Sequence, residues 1–124
     1  MLPMTVIVAQ SNARCAEKMA AFLHAHFDSV LVASSLEELR REIPRHRANI
    51  AIIDLELVDV NDVEEIHHEF PPTCIICTHR LANEELWTAS LAAGAHDCYM
   101  NDDVRGILGA MMRVPGVVRT QVAA

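Results

Sequence analysis

The sequence is poor in positive charge and in aromatic side chains. Seventeen acidic residues against ten lysines and arginines give the 124-residue chain a formal net charge of −7. Because contacts to phosphates need a clustered basic surface, this balance argues against nucleic-acid binding. Aromatic residues make up 4% of the chain and hydrophobic residues 52%, so we expect a core built from aliphatic side chains.

Membrane-spanning and secretory segments are also missing from the sequence. No apolar run approaches the roughly 18 residues that a membrane span needs, and no signal peptide precedes the first predicted strand. We therefore expect a cytoplasmic domain that does not contact the membrane. The length fits one domain, which we place at residues 4–113, with a C-terminal tail or linker remnant at 114–124.

The chain has four cysteines, and two of them have the spacing of a zinc or redox motif. Cys74 and Cys77 lie in a segment that is typical of a strand, where side chains three positions apart point to opposite faces. We therefore expect small buried thiols and no metal site. Among the histidines, His79 has the position that best suits a pH-sensitive contact, because it follows a predicted site residue.

The apolar pattern alternates between strand and helix along the chain. It predicts five strands, at residues 5–9, 30–33, 50–54, 74–78 and 96–100. It predicts five helices, at residues 13–27, 35–43, 60–70, 83–93 and 104–112. Ser35 and Glu38 form a capping box at the start of the second helix, and Pro44 is expected to stop it. Asp102 or Asp103 is expected to cap the last helix.

Strands that alternate with helices through short loops predict a parallel sheet covered on both faces, a doubly wound α/β sandwich. In such sheets the functional site lies at the carboxyl ends of the strands. Asp54, which closes the third strand, is the residue best placed there for chemistry. Five polar residues are predicted at these ends: Gln10, Ser11, Asp54, Thr78 and Asn101.

Three segments resemble the receiver domain of two-component response regulators. They are residues 52–57, 75–79 and 93–97, which read IIDLEL, IICTH and AGAHD. The resemblance covers nearly the whole chain and implies a flavodoxin-like (βα)5 sandwich with a five-stranded parallel sheet. It also implies that Asp54 accepts a phosphoryl group from a histidine kinase with the help of magnesium, and that Thr78 is the hydroxyl that switches toward that group.

The chain departs from the family's pattern at the residues that make the acceptor reactive. The acidic pair that holds magnesium in the family falls on Gln10 and Ser11, and the strand-five lysine falls on Asn101. One carboxylate therefore stands where the family supplies three, and magnesium usually needs one or two protein carboxylates plus other oxygens. Because phosphoryl transfer relies on metal and lysine to neutralise charge, we expect little metal-dependent phosphorylation and no bound metal or cofactor otherwise.

We hypothesise that Asp54 is instead a structural acceptor, hydrogen-bonded by Thr78, Asn101 or backbone amides. Gln10 and Ser11 complete this switch-type pocket. Asp59 and Asp62 are expected in the loop and first turn of the third helix, where negative charge suits the helix dipole.

The sequence is therefore interpreted as an atypical, or pseudo-, receiver that is not an enzyme and acts through protein contacts. The expected partners are an attached output domain, another protein, a histidine kinase, or a second copy bound through helix four, strand five and helix five. That surface carries Leu86, Trp87, Tyr99, Val104 and Leu108, with Trp87 the foremost contact residue.

Two other interpretations stay open. The chain is a genuine phospho-accepting receiver in a phosphorelay, or it is a flavodoxin-like domain that binds a small molecule. Residues 10–13 contain no glycine, which argues against a phosphate-cradling loop and hence against the second interpretation.

Overall fold

The computed structural model describes residues 2–81 and 83–114. The strands are β1 (Leu2–Ala9), β2 (Phe27–Ala33), β3 (Ile50–Asp54), β4 (Cys74–His79) and β5 (Asp97–Met100). The helices are α1 (Ala13–His24), α2 (Leu36–His46), α3 (Val60–Glu69), α4 (Glu84–Ala92) and α5 (Val104–Met112). The strands pair in parallel in the order β2-β1-β3-β4-β5, which confirms the flavodoxin-like doubly wound (βα)5 sandwich.

The core has two apolar layers, one on each face of the sheet. β3 lies at the centre of the sheet, and all five of its residues are buried. Ile52 packs in the cluster that includes α1 and α5, whereas Ile53 packs in the cluster that includes α2 and α3. The expectation of an aliphatic core is confirmed, with Phe27 as a fully buried aromatic exception.

The boundary between α1 and β2 differs from the prediction. The helical spacing of apolar residues led to a predicted helix over 13–27, but α1 ends at His24. The His26 N–H donates to the Leu23 carbonyl, and Phe27 already pairs with Leu2 of β1. Pairing in the sheet buries the Phe27 ring completely, and this tertiary contact overrides the local helical pattern.

Pro44 does not stop α2, so that prediction is wrong. The helix continues to His46 and ends where Arg47 adopts a left-handed conformation with φ 49°. The Ala48 N–H then donates to the Ile43 carbonyl at 3.0 Å, which closes the helix end. A proline in the last turn removes one backbone donor, and the burial of Ile43 holds the turn in place regardless.

Polar side chains cap the helices much as the sequence predicts. Ser35 accepts the Glu38 N–H at 3.0 Å, although Glu38 reaches back to the Ser34 N–H and not to that of the cap itself. Asp59 caps α3, and Asp103 caps α5 by accepting the Gly106 N–H at 3.0 Å. These caps confirm the assignment of Asp103 to a helix start.

The C-x-x-C spacing does not bring its thiols together. Cys74 packs against one apolar cluster and Cys77 is buried in the other, which confirms the prediction of opposite faces. Burial raises the pKa of the Cys77 thiol to about 12, so it stays protonated at neutral pH.

Within residues 2–81 and 83–114, the helices lack the length and apolar character needed to cross a bilayer. Of the predicted tail at 114–124, Val114 instead packs in the core, and residues 115–124 lie outside the described residues.

Candidate functional site

The carboxyl ends of the strands open into a cleft of about 460 Å³. The loops that follow β1, β3, β4 and β5 contribute its walls, as expected for a doubly wound sheet. Most of the lining residues have polar side chains, and the set is Gln10, Ser11, Asn12, Cys15, Glu56, Arg80, Met100, Asn101 and Asp102. Three of the five predicted strand-end residues therefore line one cleft directly.

Asp54 lies beneath this cleft and is fully buried. Its Oδ2 atom accepts hydrogen bonds from the Ser11 N–H at 3.1 Å and from the Ser11 hydroxyl at 2.6 Å. Its Oδ1 atom accepts the Glu56 N–H at 3.0 Å. Through these three hydrogen bonds the carboxylate ties the loop after β1 to the turn after β3.

Gln10 supports the same loop from its own buried position. Its Oε1 atom accepts the Asn12 N–H at 3.3 Å and lies 3.4 Å from the Ser11 hydroxyl. A hydroxyl has one proton to donate, and the shorter contact to the charged Asp54 is the stronger of the two available to Ser11. Gln10 and Ser11 therefore form a structural link between β1 and Asp54.

The other predicted donors to Asp54 do not bond to it. Thr78 is 1% exposed, and its Oγ1 atom has no hydrogen-bond partner among the described residues. Asn101 lines the cleft, and its buried Oδ1 atom likewise has none. The hypothesis of a structural acceptor is thus supported through Ser11 and a backbone amide, whereas the proposed roles of Thr78 and Asn101 as donors are wrong. Ser11 and Glu56 already donate to the two carboxylate oxygens.

Magnesium, which the family resemblance implies, does not fit the residues at this site. Within residues 2–81 and 83–114, no three His, Cys, Asp or Glu side chains lie close enough together to hold a metal ion. Asp54 brings one carboxylate, and both of its oxygens accept hydrogen bonds. The neighbouring Gln10 and Ser11 are uncharged, and Glu56 and Asp102, which line the same cleft, do not join Asp54 in a group of three metal-ligating side chains.

Glu56 and Arg80 are site residues that the sequence analysis missed. Arg80 and Glu56 form an ion pair at the cleft, with 2.9 Å between Arg80 Nε and Glu56 Oε1. Each lies two positions after a predicted site residue, Asp54 or Thr78, and that spacing is the signal that could have identified them. Since the Arg80 side chain is 71% exposed, the pair contributes little to stability.

His79 lies beside this ion pair. Its Nδ1 atom accepts the Leu81 N–H at 2.9 Å, and its Nε2 atom lies 3.9 Å from Glu56 Oε1. His79 follows Thr78 but does not line the cleft, and the pH-sensitive contact expected from the sequence stays a prediction. Its contacts hold the start of the loop between β4 and α4.

A second polar cluster joins α4, β5 and the end of α5. Asp97 accepts the Trp87 indole N–H at 3.0 Å and the Tyr99 hydroxyl at 2.8 Å. Arg113 donates to the Tyr99 hydroxyl at 3.1 Å. Partial burial pushes the pKa of Asp97 upward, but hydrogen bonds from Tyr99, Trp87 and the Cys98 N–H outweigh it, so the pKa is lowered overall. Asp97 was not predicted from the sequence.

The structure thus brings together Trp87 and Tyr99, two of the five residues predicted at the interaction surface. Trp87 is 44% exposed although its indole nitrogen is bonded. Val104 and Leu108, by contrast, pack partly against the core cluster beneath α5. The accessible apolar part of this face is therefore centred on Trp87.

Comparisons with known proteins identify the fold. The chain matches no protein-family model, and no curated protein matches it. Many solved structures are similar in fold, and the three described below have 15–22% sequence identity to this chain. A CheY-like receiver domain from Methanospirillum hungatei JF-1 has 22% identity and a TM-score of 0.78, with 100% of each chain covered.

Two further solved structures agree with this assignment. A response regulator receiver domain from Clostridium thermocellum has 15% identity and a TM-score of 0.81, covering 98% of this chain and 99% of that one. The REC domain of RcsB from Salmonella enterica serovar Typhimurium has 18% identity and a TM-score of 0.78, covering 95% and 98%. The chain therefore has the receiver-domain fold.

Proposed function

We propose that the chain is a receiver-like signalling domain that acts through protein contacts, without efficient magnesium-dependent phosphorylation of Asp54. The observation that supports this most strongly is the environment of Asp54. Ser11 donates both its N–H and its hydroxyl to Oδ2, and the Glu56 N–H donates to Oδ1. A carboxylate held in this way is well suited to joining two loops.

The chemistry of phosphoryl transfer supports the same proposal. The transferred group carries charge on its equatorial oxygens, and catalysis consists mostly of positioning and charge neutralisation. The described residues form no group of three metal-ligating side chains, and Arg80, a cation that lines the cleft, is paired with Glu56. Loss of each electrostatic group of this kind costs roughly 3 kcal/mol of transition-state stabilisation. Phosphorylation of Asp54 is accordingly proposed to be too slow to carry a signal.

The proposed contact surface is formed by α4, β5 and α5. Asp97 fixes the orientations of Trp87 and Tyr99 through hydrogen bonds to both side chains. A partly exposed tryptophan with a fixed ring loses little conformational entropy when a partner covers it. We propose an attached output domain, a separate protein or a second copy of the chain as the partner at this face.

Incubation with acetyl phosphate and magnesium, followed by intact mass spectrometry, tests the proposal. The chain is expected to keep its unmodified mass over a time in which a phospho-accepting receiver is fully modified. Asp54→Asn serves as the matched control for modification elsewhere. A hydroxylamine-labile phosphate that appears on the chain and is absent from Asp54→Asn contradicts the proposal.

A further inference from the structure

Two buried oxygens at the strand ends have no hydrogen-bond partner. Thr78 Oγ1 and Asn101 Oδ1 are both enclosed, and neither has a partner within residues 2–81 and 83–114. Buried polar atoms are hydrogen-bonded in the great majority of cases, and an unpaired one costs about 1–3 kcal/mol. Two such atoms at one edge of the sheet point to a group outside the described residues.

Asn101 lines the strand-end cleft, and the buried Thr78 lies at the same end of the sheet, beside Asp54. Asp54 of β3 and Thr78 of β4 are partners in register, so their side chains point to the same face of the sheet. On that face Asp54 reaches Ser11, which lines the cleft. Asn101 follows β5 directly and lines the cleft as well. The unpartnered oxygens are enclosed at the inner end of the cleft, so a group that enters the cleft reaches them when the side chains around them shift.

The charges around the cleft are mostly negative. Glu56 and Asp102 line it, and Asp54 lies beneath it. Arg80 is committed to Glu56 at 2.9 Å. Among the described residues, neither Asp54 nor Asp102 has an ion-pair partner. An entering group therefore meets acceptors and negative charge, which favour a cation that donates several hydrogen bonds.

We propose that the cleft receives an ammonium or guanidinium group, carried by a lysine or arginine side chain of a protein partner. The group donates to Thr78 Oγ1 and Asn101 Oδ1 and offsets the charges of Asp54 and Asp102. The cleft volume of about 460 Å³ falls in the range of ligand pockets, about 300–1,000 Å³. The inference rests on the proposed function, because it names the chemistry by which a partner engages this end of the sheet.

The first test is an NMR titration of the 15N-labelled chain with small charged probes. N-acetyl-lysine amide and N-acetyl-arginine amide are the probes, and the Nε-acetylated form of the lysine probe is the uncharged control. The amide resonances of Ser11, Thr78 and Asn101 are expected to shift with the charged probes and not with the neutral one or with magnesium chloride. Equal shifts with the neutral probe, or saturating shifts with magnesium alone, overturn the inference.

A second test places the cation within the chain and does not depend on weak binding by a free probe. Asn101→Lys carries an ammonium group at the cleft wall, and Asn101→Met has a side chain of similar reach without charge. Asn101→Lys is expected to melt higher than Asn101→Met by about 3 °C or more, with the difference reduced in an Asp54→Asn background. A lysine variant that melts at or below the methionine variant overturns the inference.

The outcomes separate this inference from the proposed function. A labile phosphate on Asp54 contradicts the proposed function and has no effect on the comparison between Asn101→Lys and Asn101→Met. A failed titration together with a failed melting comparison overturns the cation site, while the acetyl phosphate result is unaffected.

Discussion

At the ends of β1 and β3 the buried polar atoms are bonded to one another, whereas at the ends of β4 and β5 two buried oxygens are unpaired. Asp54, Ser11 and Gln10 form a connected set of hydrogen bonds in the first half of the cleft. In the second half, Thr78 Oγ1 and Asn101 Oδ1 have no partner among the described residues. We infer that the hydrogen bonds at the ends of β1 and β3 stabilise the fold. The unpaired oxygens at the ends of β4 and β5 are left to accept hydrogen bonds from a ligand.

The largest predicted effect comes from replacing the central acceptor of the first half. An Asp54→Asn amide has one acceptor oxygen, so its NH2 group must face either the Ser11 donors or the Glu56 N–H. We expect a loss of about 2–3 kcal/mol in the free energy of unfolding, measured by urea denaturation. Asp28→Asn, on the exposed surface of β2, is the matched control and should change it by less than about 0.5 kcal/mol. A variant as stable as this control would show that Asp54 does not hold the loops together.

A smaller loss of stability is expected when the Ser11 hydroxyl, which donates to Asp54, is removed. Ser11→Ala removes the 2.6 Å hydroxyl bond to Asp54 and leaves the backbone N–H bond in place. Because hydrogen bonds to charged groups are worth about 1.5–3 kcal/mol and Ser11 is exposed, we expect a loss near the lower figure. In a double-mutant cycle with Asp54→Asn the two losses should not add, since both remove the same interaction. Additive losses would show that Ser11 stabilises the fold through an interaction other than its hydrogen bond to Asp54.

Removing the unpaired Thr78 hydroxyl should have the opposite effect on stability. Thr78→Val replaces a buried hydroxyl without a partner by a methyl group of nearly the same shape. We expect the variant to be as stable as the native chain or more stable by up to about 1 kcal/mol, as measured by thermal and urea denaturation. A destabilised Thr78→Val variant would mean that the hydroxyl is hydrogen-bonded in solution, and the contrast between the two halves would disappear.

Much of the fold could be predicted from the sequence, because the strands and helices follow largely from local patterns of apolar and polar residues. Continuous apolar runs predicted the buried strands, and the strand ends placed Asp54 and Thr78 side by side, as the register between β3 and β4 confirms. The helix boundaries at Phe27 and Pro44 were wrong because burial in the sheet and in the core outweighed local preference there.

The contacts of the site could not be predicted in the same way. Which donor reaches Asp54 depends on the path of the loop after β1, and a short polar stretch such as Gln10-Ser11 allows several paths. The shared role of Asp97 was also hidden, since it depends on side chains from α4, β5 and α5 meeting in three dimensions. The sequence pattern predicts where a strand ends, but the packing of the folded chain determines which side chains form hydrogen bonds there.

The smallest predicted effect concerns the dependence of stability on pH, far from the cleft. The lowered pKa of Asp97 means that its hydrogen bonds stabilise the fold above the ordinary aspartate pKa of about 4. That contribution is lost as the pH falls through the lowered value in the folded chain. Asp97→Asn should therefore flatten the acid limb of the stability curve, measured by urea denaturation at a series of pH values. An unchanged acid limb would show that Trp87 and Tyr99 are held by packing alone.

Phosphorylation of the native chain compared with a triple variant tests the central claim most directly. Gln10→Asp and Ser11→Asp together supply two carboxylates beside Asp54, and Asn101→Lys supplies a cation at the cleft wall. With acetyl phosphate and magnesium, intact mass spectrometry should show a labile phosphate on the triple variant and none on the native chain. Equal phosphorylation of Asp54 in both would contradict the claim that this chain signals by contact.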